Sequence, residues 1–248
     1  MFKLISSNKI IILGICLVII QTFFGASFDT ATKFLGSNNN LLWYHYYALG
    51  LSLPMIFFIF FLIISKSVKK NLIFESKKDY FLPLFRGFTF IPVPIIIYYS
   101  LKQIPLNIFI YLIFLVAAYN ALTSVFVSKF SKNATALGYA FYNLLPLILF
   151  CIVLSVIDPV KLIKNDLVII FIGGFLLFFA SLLFNLIFHI SGKFTRFISP
   201  FFFLQLIWAS ILGNIFFSEI LDNLSLLGMV FIVVSGTLTI MNSKKKFN

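Results

Sequence analysis

Gln21, Asn143 and Gln205 each sit near the middle of a long apolar run. An amide in that setting is costly unless it bonds something, so its position carries information. Trp208 follows Gln205 by about one helical turn, which puts the two on a shared helix face. Tyr139, Tyr142 and Asn143 group in the same way on another run. Amides that donate and accept, beside phenol and indole rings with an apolar face and a polar edge, have the chemistry to line a cavity and hold a small polar solute. The same groups can also tie one helix to its neighbour. The candidate binding set is Gln21, Tyr142, Asn143, Gln205 and Trp208.

Prolines fall in the same runs: Pro54, Pro92, Pro94 and Pro146. Each removes a backbone N–H and crowds the carbonyl four residues back, so a helix there bends or breaks. Broken helices beside a binding site and kinks that only shape packing both fit. The charged residues are expected at interfaces. Asp29 and Lys33 follow the first run, Glu219 and Asp222 bracket the last loop, and Arg86 is close enough to one end to snorkel. Trp43, Tyr44, Tyr46 and Tyr47 read as an interfacial aromatic belt, with His45 an anchor inside it. No Asp or Glu falls at the middle of a run, so no buried carboxylate proton carrier is expected.

The elements that must position these groups are membrane spans. The chain has 248 residues, is 61% hydrophobic and 10% charged, and has a mean hydropathy of +1.09. A spanning helix needs about 20 mostly apolar residues. Eight stretches qualify: 10–28, 41–64, 80–101, 105–127, 135–157, 167–189, 197–218 and 224–241. Runs such as residues 56–62 do not alternate polar with apolar, which excludes a β-barrel pattern. The expected fold is an all-α, polytopic transmembrane bundle forming a single integral-membrane domain over residues 1–248.

Basic residues orient it. Of nineteen Lys and Arg, fifteen fall in alternate gaps: Lys3 and Lys9; Lys66, Lys69, Lys70, Lys77, Lys78 and Arg86; Lys129 and Lys132; Lys193 and Arg196; Lys244, Lys245 and Lys246. The other gaps hold Lys33, Lys102, Lys161 and Lys164. Cytoplasmic loops collect Lys and Arg, so both termini are expected in the cytoplasm and the span number is even. A cleaved signal segment ending near Gly25-Ala26-Ser27 would leave an odd number and spoil that pattern. The net charge of +12 lies in short loops beside apolar runs and not on one face of a fold. It points to anionic lipid headgroups as partners and away from nucleic acid. Cys16 and Cys151 lie within apolar runs and are expected to be small buried side chains. No phosphate loop, metal cluster or nucleophile elbow is present, so neither a cofactor nor an enzymatic site is expected.

Residues 198–219, followed by residues 226–236, resemble the closing two helices of EamA-type transporters of the drug/metabolite transporter superfamily. Pro200, Gly213, Phe217, Glu219, Gly228 and Gly236 carry the likeness. Arg86-Gly87, with Tyr98 and Leu101, resembles the family's third helix. The resemblance implies two inverted halves of five helices each, here 1–104 and 134–248, rocking about a central cavity. Only eight spans are found, and residues 105–133 look like a junction where about two helices are missing: residues 117–129 resemble the end of the family's sixth helix. The expected function is a carrier for a small polar or amphipathic metabolite in a bacterial cytoplasmic membrane. The alternatives are an intramembrane lipid-modifying enzyme using His45, Asp29 or Glu219, and a degenerate carrier or scaffold that acts only as an oligomer, such as a homodimer.

Overall fold

The computed structural model describes residues 7–36, 41–104, 135–161, 164–191 and 194–220, together with positions 223, 226–231, 234 and 238. Among the described residues the regular structure is helical, as expected for an all-α bundle. The helices are α1 (Ser7–Gly36), α2 (Trp43–Ile64), the short α3 (Val68–Leu72), α4 (Lys77–Phe90), α5 (Pro92–Gln103), α6 (Ala136–Ile157), α7 (Lys164–Ser191), the short α8 (Thr195–Ile198) and α9 (Leu204–Phe217). A 3₁₀ turn, Ser199–Phe203, joins α8 to α9. Among the described residues six stretches are long and apolar enough to cross a membrane: Lys9–Gly36, Trp43–Ile64, Lys77–Gln103, Ala136–Ile157, Lys164–Ser191 and Ser199–Phe217. They match six of the eight stretches read from the sequence. The fourth, 105–127, lies outside the described residues, as does most of the eighth, 224–241. The chain is a multi-pass membrane protein.

Local chemistry sets the boundaries. Ser76 caps α4, its Oγ accepting from the Lys78 N–H at 3.3 Å, and Thr135 caps α6, its Oγ1 accepting from the Gly138 N–H at 3.1 Å. The third span is two helices in series. Pro92 and Pro94 cannot donate to the carbonyls of Phe88 and Phe90, and the chain breaks at Ile91. The freed Phe88 carbonyl takes the Ile91 N–H instead, at 3.2 Å. Pro54 and Pro146 stay inside α2 and α6 without ending them.

The outside of the bundle is greasy. Ile64, Phe88, Val156 and Ile157 are 66, 66, 75 and 73% exposed, as side chains facing lipid are. Without a hydrophobic force between helices in lipid, close packing must hold them together, and small residues permit it. α7 packs against α1, α2 and α6; α1 also meets α5 and α9; α4 lies on α6. At the α2–α7 crossing Gly50 and Gly174 put backbone on backbone. A Cβ on Gly174 would lie 1.8 Å from the Gly50 carbonyl oxygen, and a Cβ on Gly50 would lie 2.8 Å from that of Ile170. Gly87 meets the Asn143 carbonyl in the same way, and Gly138 that of Asn71.

Ring contacts fix the directions. Phe24 meets Phe179 while Gly14 meets Ser191, so α1 and α7 are antiparallel. Phe58 meets Phe178, so α2 runs with α7, whereas Trp43 on Phe150 and Phe58 on Phe141 set α2 against α6. The exposed Lys66, Lys69, Lys70, Lys77 and Lys78 therefore gather at the end that also holds Thr135 and Ser191. Tyr44, His45, Asp158 and Lys33 gather at the other. Reporters fused after Ser65 should be cytoplasmic, and reporters near Asn39 or Lys161 external. A Ser65 fusion read on the outer side would invert the whole assignment.

Candidate functional site

One stripe of α1 carries its amide and charged residues toward the outer end. Gln21, Gly25, Asp29 and Lys33 recur at every fourth position, so they turn only slowly around the helix. Most of that stripe faces α9. Gly25 makes room for Gln205, whose amide would lie 3.2 Å from a Cβ there. Gln205 Nε2 then donates to Asp29 Oδ2 at 3.0 Å. One turn outward, Lys33 and Glu219 form an ion pair, and the Lys33 ammonium stands 4.8 Å from the centre of the Phe217 ring. Glu219 is held in place by the end of α9. Ser218 adopts a left-handed conformation (φ 54°), and the Glu219 N–H reaches back to the Gly213 carbonyl at 3.2 Å. Phe34 packs against Phe216 and Phe217 beside the pair.

Asp29 was expected at the outer edge, just past the first span. That reading is corrected. α1 continues seven residues beyond it to Gly36, and Asp29 is 3% exposed. It sits about 10 Å from the midpoint of the Lys9–Gly36 span, toward its outer end. The run appeared to stop at Phe28 because a carboxylate ended the apolar window. The signal that would have found it is the four-residue repeat from Gln21 to Lys33.

α2 closes the stripe from the side. Phe28 stacks on Tyr46 at 5.4 Å and meets Tyr47 edge-on at 5.6 Å. Both tyrosines are buried and lie within electrostatic range of Asp29. The Tyr46 hydroxyl fits over Gly173, where a Cβ would come within 2.1 Å of it. The aromatic-belt reading is therefore corrected for Trp43, Tyr46 and Tyr47, which are core residues.

The five residues expected in one cavity fall in two places. Gln205 and Trp208 belong to the α1–α9 seam, and Gln21 lies on α1 one turn before Gly25. Trp208 meets Phe23 edge-on at 5.3 Å and packs with Ala26, Leu101 and Ala209. Gln21 Oε1 and Trp208 Nε1 are buried with no hydrogen-bond partner among the described residues. Tyr142 and Asn143 lie instead where α6 meets α3 and α4. Tyr142 donates to the Leu72 carbonyl at 2.7 Å and packs on Phe74 and Tyr80 at the lysine-rich end. Asn143 is buried beside Gly87, its Oδ1 without a partner among the described residues.

No protein-family model matches this chain, nor does any curated protein or solved structure.

Three further sequence readings change. Arg86 does not snorkel: it is buried, donates to Asn185 Oδ1 at 3.3 Å, and lies over the rings of Phe184 and Tyr139 at 5.2 and 5.8 Å. Cys16 is exposed on the outside of the bundle while Cys151 is buried, so the expectation holds for one cysteine. His45 is buried and structural. Its Nδ1 accepts from the Leu42 N–H at 3.2 Å, which leaves the ring proton on Nε2 to donate to the Asp158 carbonyl at 2.5 Å. Tyr44 reaches the Asp158 carboxylate, also at 2.5 Å. The ring thus caps α2 and ties it to the end of α6. His45→Phe should lower stability by about 1–2 kcal/mol, the usual worth of a lost cap, and leave binding per folded molecule unchanged. Thermal unfolding in detergent, with a binding assay on the same sample, checks this.

Proposed function

We propose that the protein is a carrier, moving a small polar or amphipathic solute across a bacterial cytoplasmic membrane by alternating access. The observation that supports this most is the Asp29–Gln205 hydrogen bond. It joins a carboxyl and an amide from two different spans inside an apolar bundle, with Trp208 on the same seam. Ionisable groups inside a membrane are costly, and they commonly mark solute or ion pathways. The break at Ile91 adds a second feature of carriers, an interrupted span, and α5 lies directly against α1. The resemblance of residues 198–219 to an EamA helix supports the same reading, since it contains both Gln205 and Glu219.

An enzymatic reading finds less support. His45, Asp29 and Glu219 are each engaged by a different partner: the α6 end, Gln205 and Lys33 respectively. Uptake and efflux of a metabolite panel in proteoliposomes, with and without a pH gradient, tests the proposal. Saturable flux of at least one solute above that of empty vesicles is expected. Absence of flux, with turnover of membrane lipid instead, would replace the carrier by an enzyme. A crosslinked dimer sharing one cavity would turn the lone carrier into an obligate pair.

A further inference from the structure

Asp29 has a cation at the ideal distance in sequence, and that cation points elsewhere. Lys33 is four residues on, the usual spacing for an ion pair on one helix face. It pairs instead with Glu219 and rests over Phe217. Gln205 is the partner that reaches the Asp29 carboxylate, and an amide hydrogen bond supplies no charge. Phe28, one residue before Asp29, stacks on Tyr46 and meets Tyr47 edge-on, so two buried tyrosines of α2 lie within electrostatic range of the carboxyl. A buried carboxyl bonded to a neutral amide, with its neighbouring lysine held away and aromatic residues nearby, has the recognition chemistry of an ammonium group. The carboxylate neutralises the charge, the rings attract it through their faces, and the amide takes up an N–H.

We propose that the solute taken at the α1–α9 seam is a small organic cation bearing an ammonium group, with Asp29 as its counter-charge. This rests on the carrier reading of the same seam and narrows its substrate class. The Lys33–Glu219 pair, one turn outward, completes the arrangement: it covers the site on the outer side and consumes the competing lysine. Asp29 is 3% exposed, so the site is closed in this conformation, and a solute enters when α1 and α9 part.

The test is equilibrium binding to purified protein in nanodiscs, with benzylammonium, benzyl alcohol, benzoate and sodium chloride as probes. Benzylammonium should bind saturably and raise the melting temperature. The neutral and anionic analogues should bind at least tenfold more weakly. Asp29→Asn keeps the size and the hydrogen bond to Gln205 but loses the charge, and it should cut benzylammonium affinity tenfold or more. Asp29→Glu should retain part of it. Equal binding of benzyl alcohol and benzylammonium, or wild-type affinity in a folded Asp29→Asn variant, would overturn the proposal. So would stabilisation by sodium alone at the same site, which would make it a metal-ion site. If Asp29 only ties α1 to α9 through that bond, the Asn variant keeps both its melting temperature and its affinity, which overturns the proposal. The two readings fail separately. Binding without flux in proteoliposomes removes the carrier and keeps the cation site, whereas flux of neutral solutes that ignores Asp29 does the reverse.

Discussion

Gly174→Leu should prevent stable assembly of the bundle. At Gly174 the obstacle is the backbone of α2, with the Gly50 carbonyl oxygen, carbonyl carbon and Cα 1.8, 2.2 and 2.5 Å from where the new Cβ would be. No rotamer change relieves a clash with backbone, so the helices must separate. Even Gly174→Ala forces that movement. Overpacking of this kind typically costs about 1–3 kcal/mol, and the isobutyl group of leucine enlarges the clash. The loss propagates, because α7 is the helix that α1, α2 and α6 all share. Gly228 supplies the control: nothing among the described residues lies within 4 Å of a Cβ there, so Gly228→Ala should leave the melting temperature nearly unchanged. Size-exclusion profiles and thermal unfolding in detergent read both. A Gly174→Leu protein that melts like wild type would mean that α2 and α7 do not cross at these glycines.

The second large effect is expected at Gln205. Gln205→Leu removes the donor to Asp29 and leaves a buried carboxyl without that bond. An unsatisfied buried polar group costs about 1–3 kcal/mol, or more when charged. Because the pair joins α1 to α9, stability should fall. Because the same pair forms the proposed site, solute affinity per folded molecule should fall too, roughly five- to 150-fold for that free energy. Measuring both on one purified sample separates a binding role from a purely structural one. Lost stability with unaltered affinity would leave Gln205 as helix–helix glue.

The helices were legible in the sequence because length and hydropathy alone decide whether a segment can span a bilayer. What the sequence hid was which side of each helix faces protein. Tyr46 and Tyr47 have the composition of an interfacial belt, yet the Gly173-Gly174 step on α7 lets α2 approach so closely that they pack into the core. Glycine pairing across helices is a property of two distant segments, and nothing near residue 46 announces it. Asp29 was hidden for a different reason. A hydropathy window treats a carboxylate as an end, whereas a helix continues through one that is hydrogen-bonded by a neighbour. Gln205 and Trp208 were found because amides and indoles in apolar runs stand out individually. Tyr142 and Asn143 stood out for the same reason, but depth in a span does not say which seam a side chain joins. Their place at the α3–α4–α6 contact needed the packing of Gly87 and Gly138 to reveal it.

The central claim is that solute crosses along the α1–α9 seam and passes Asp29. The most direct measurement is counterflow of a radiolabelled ammonium solute in proteoliposomes, comparing wild type with Asp29→Asn at matched insertion and matched melting temperature. Saturable counterflow by wild type and at least a tenfold loss in the variant are expected. Counterflow by Asp29→Asn at the wild-type rate would contradict the claim.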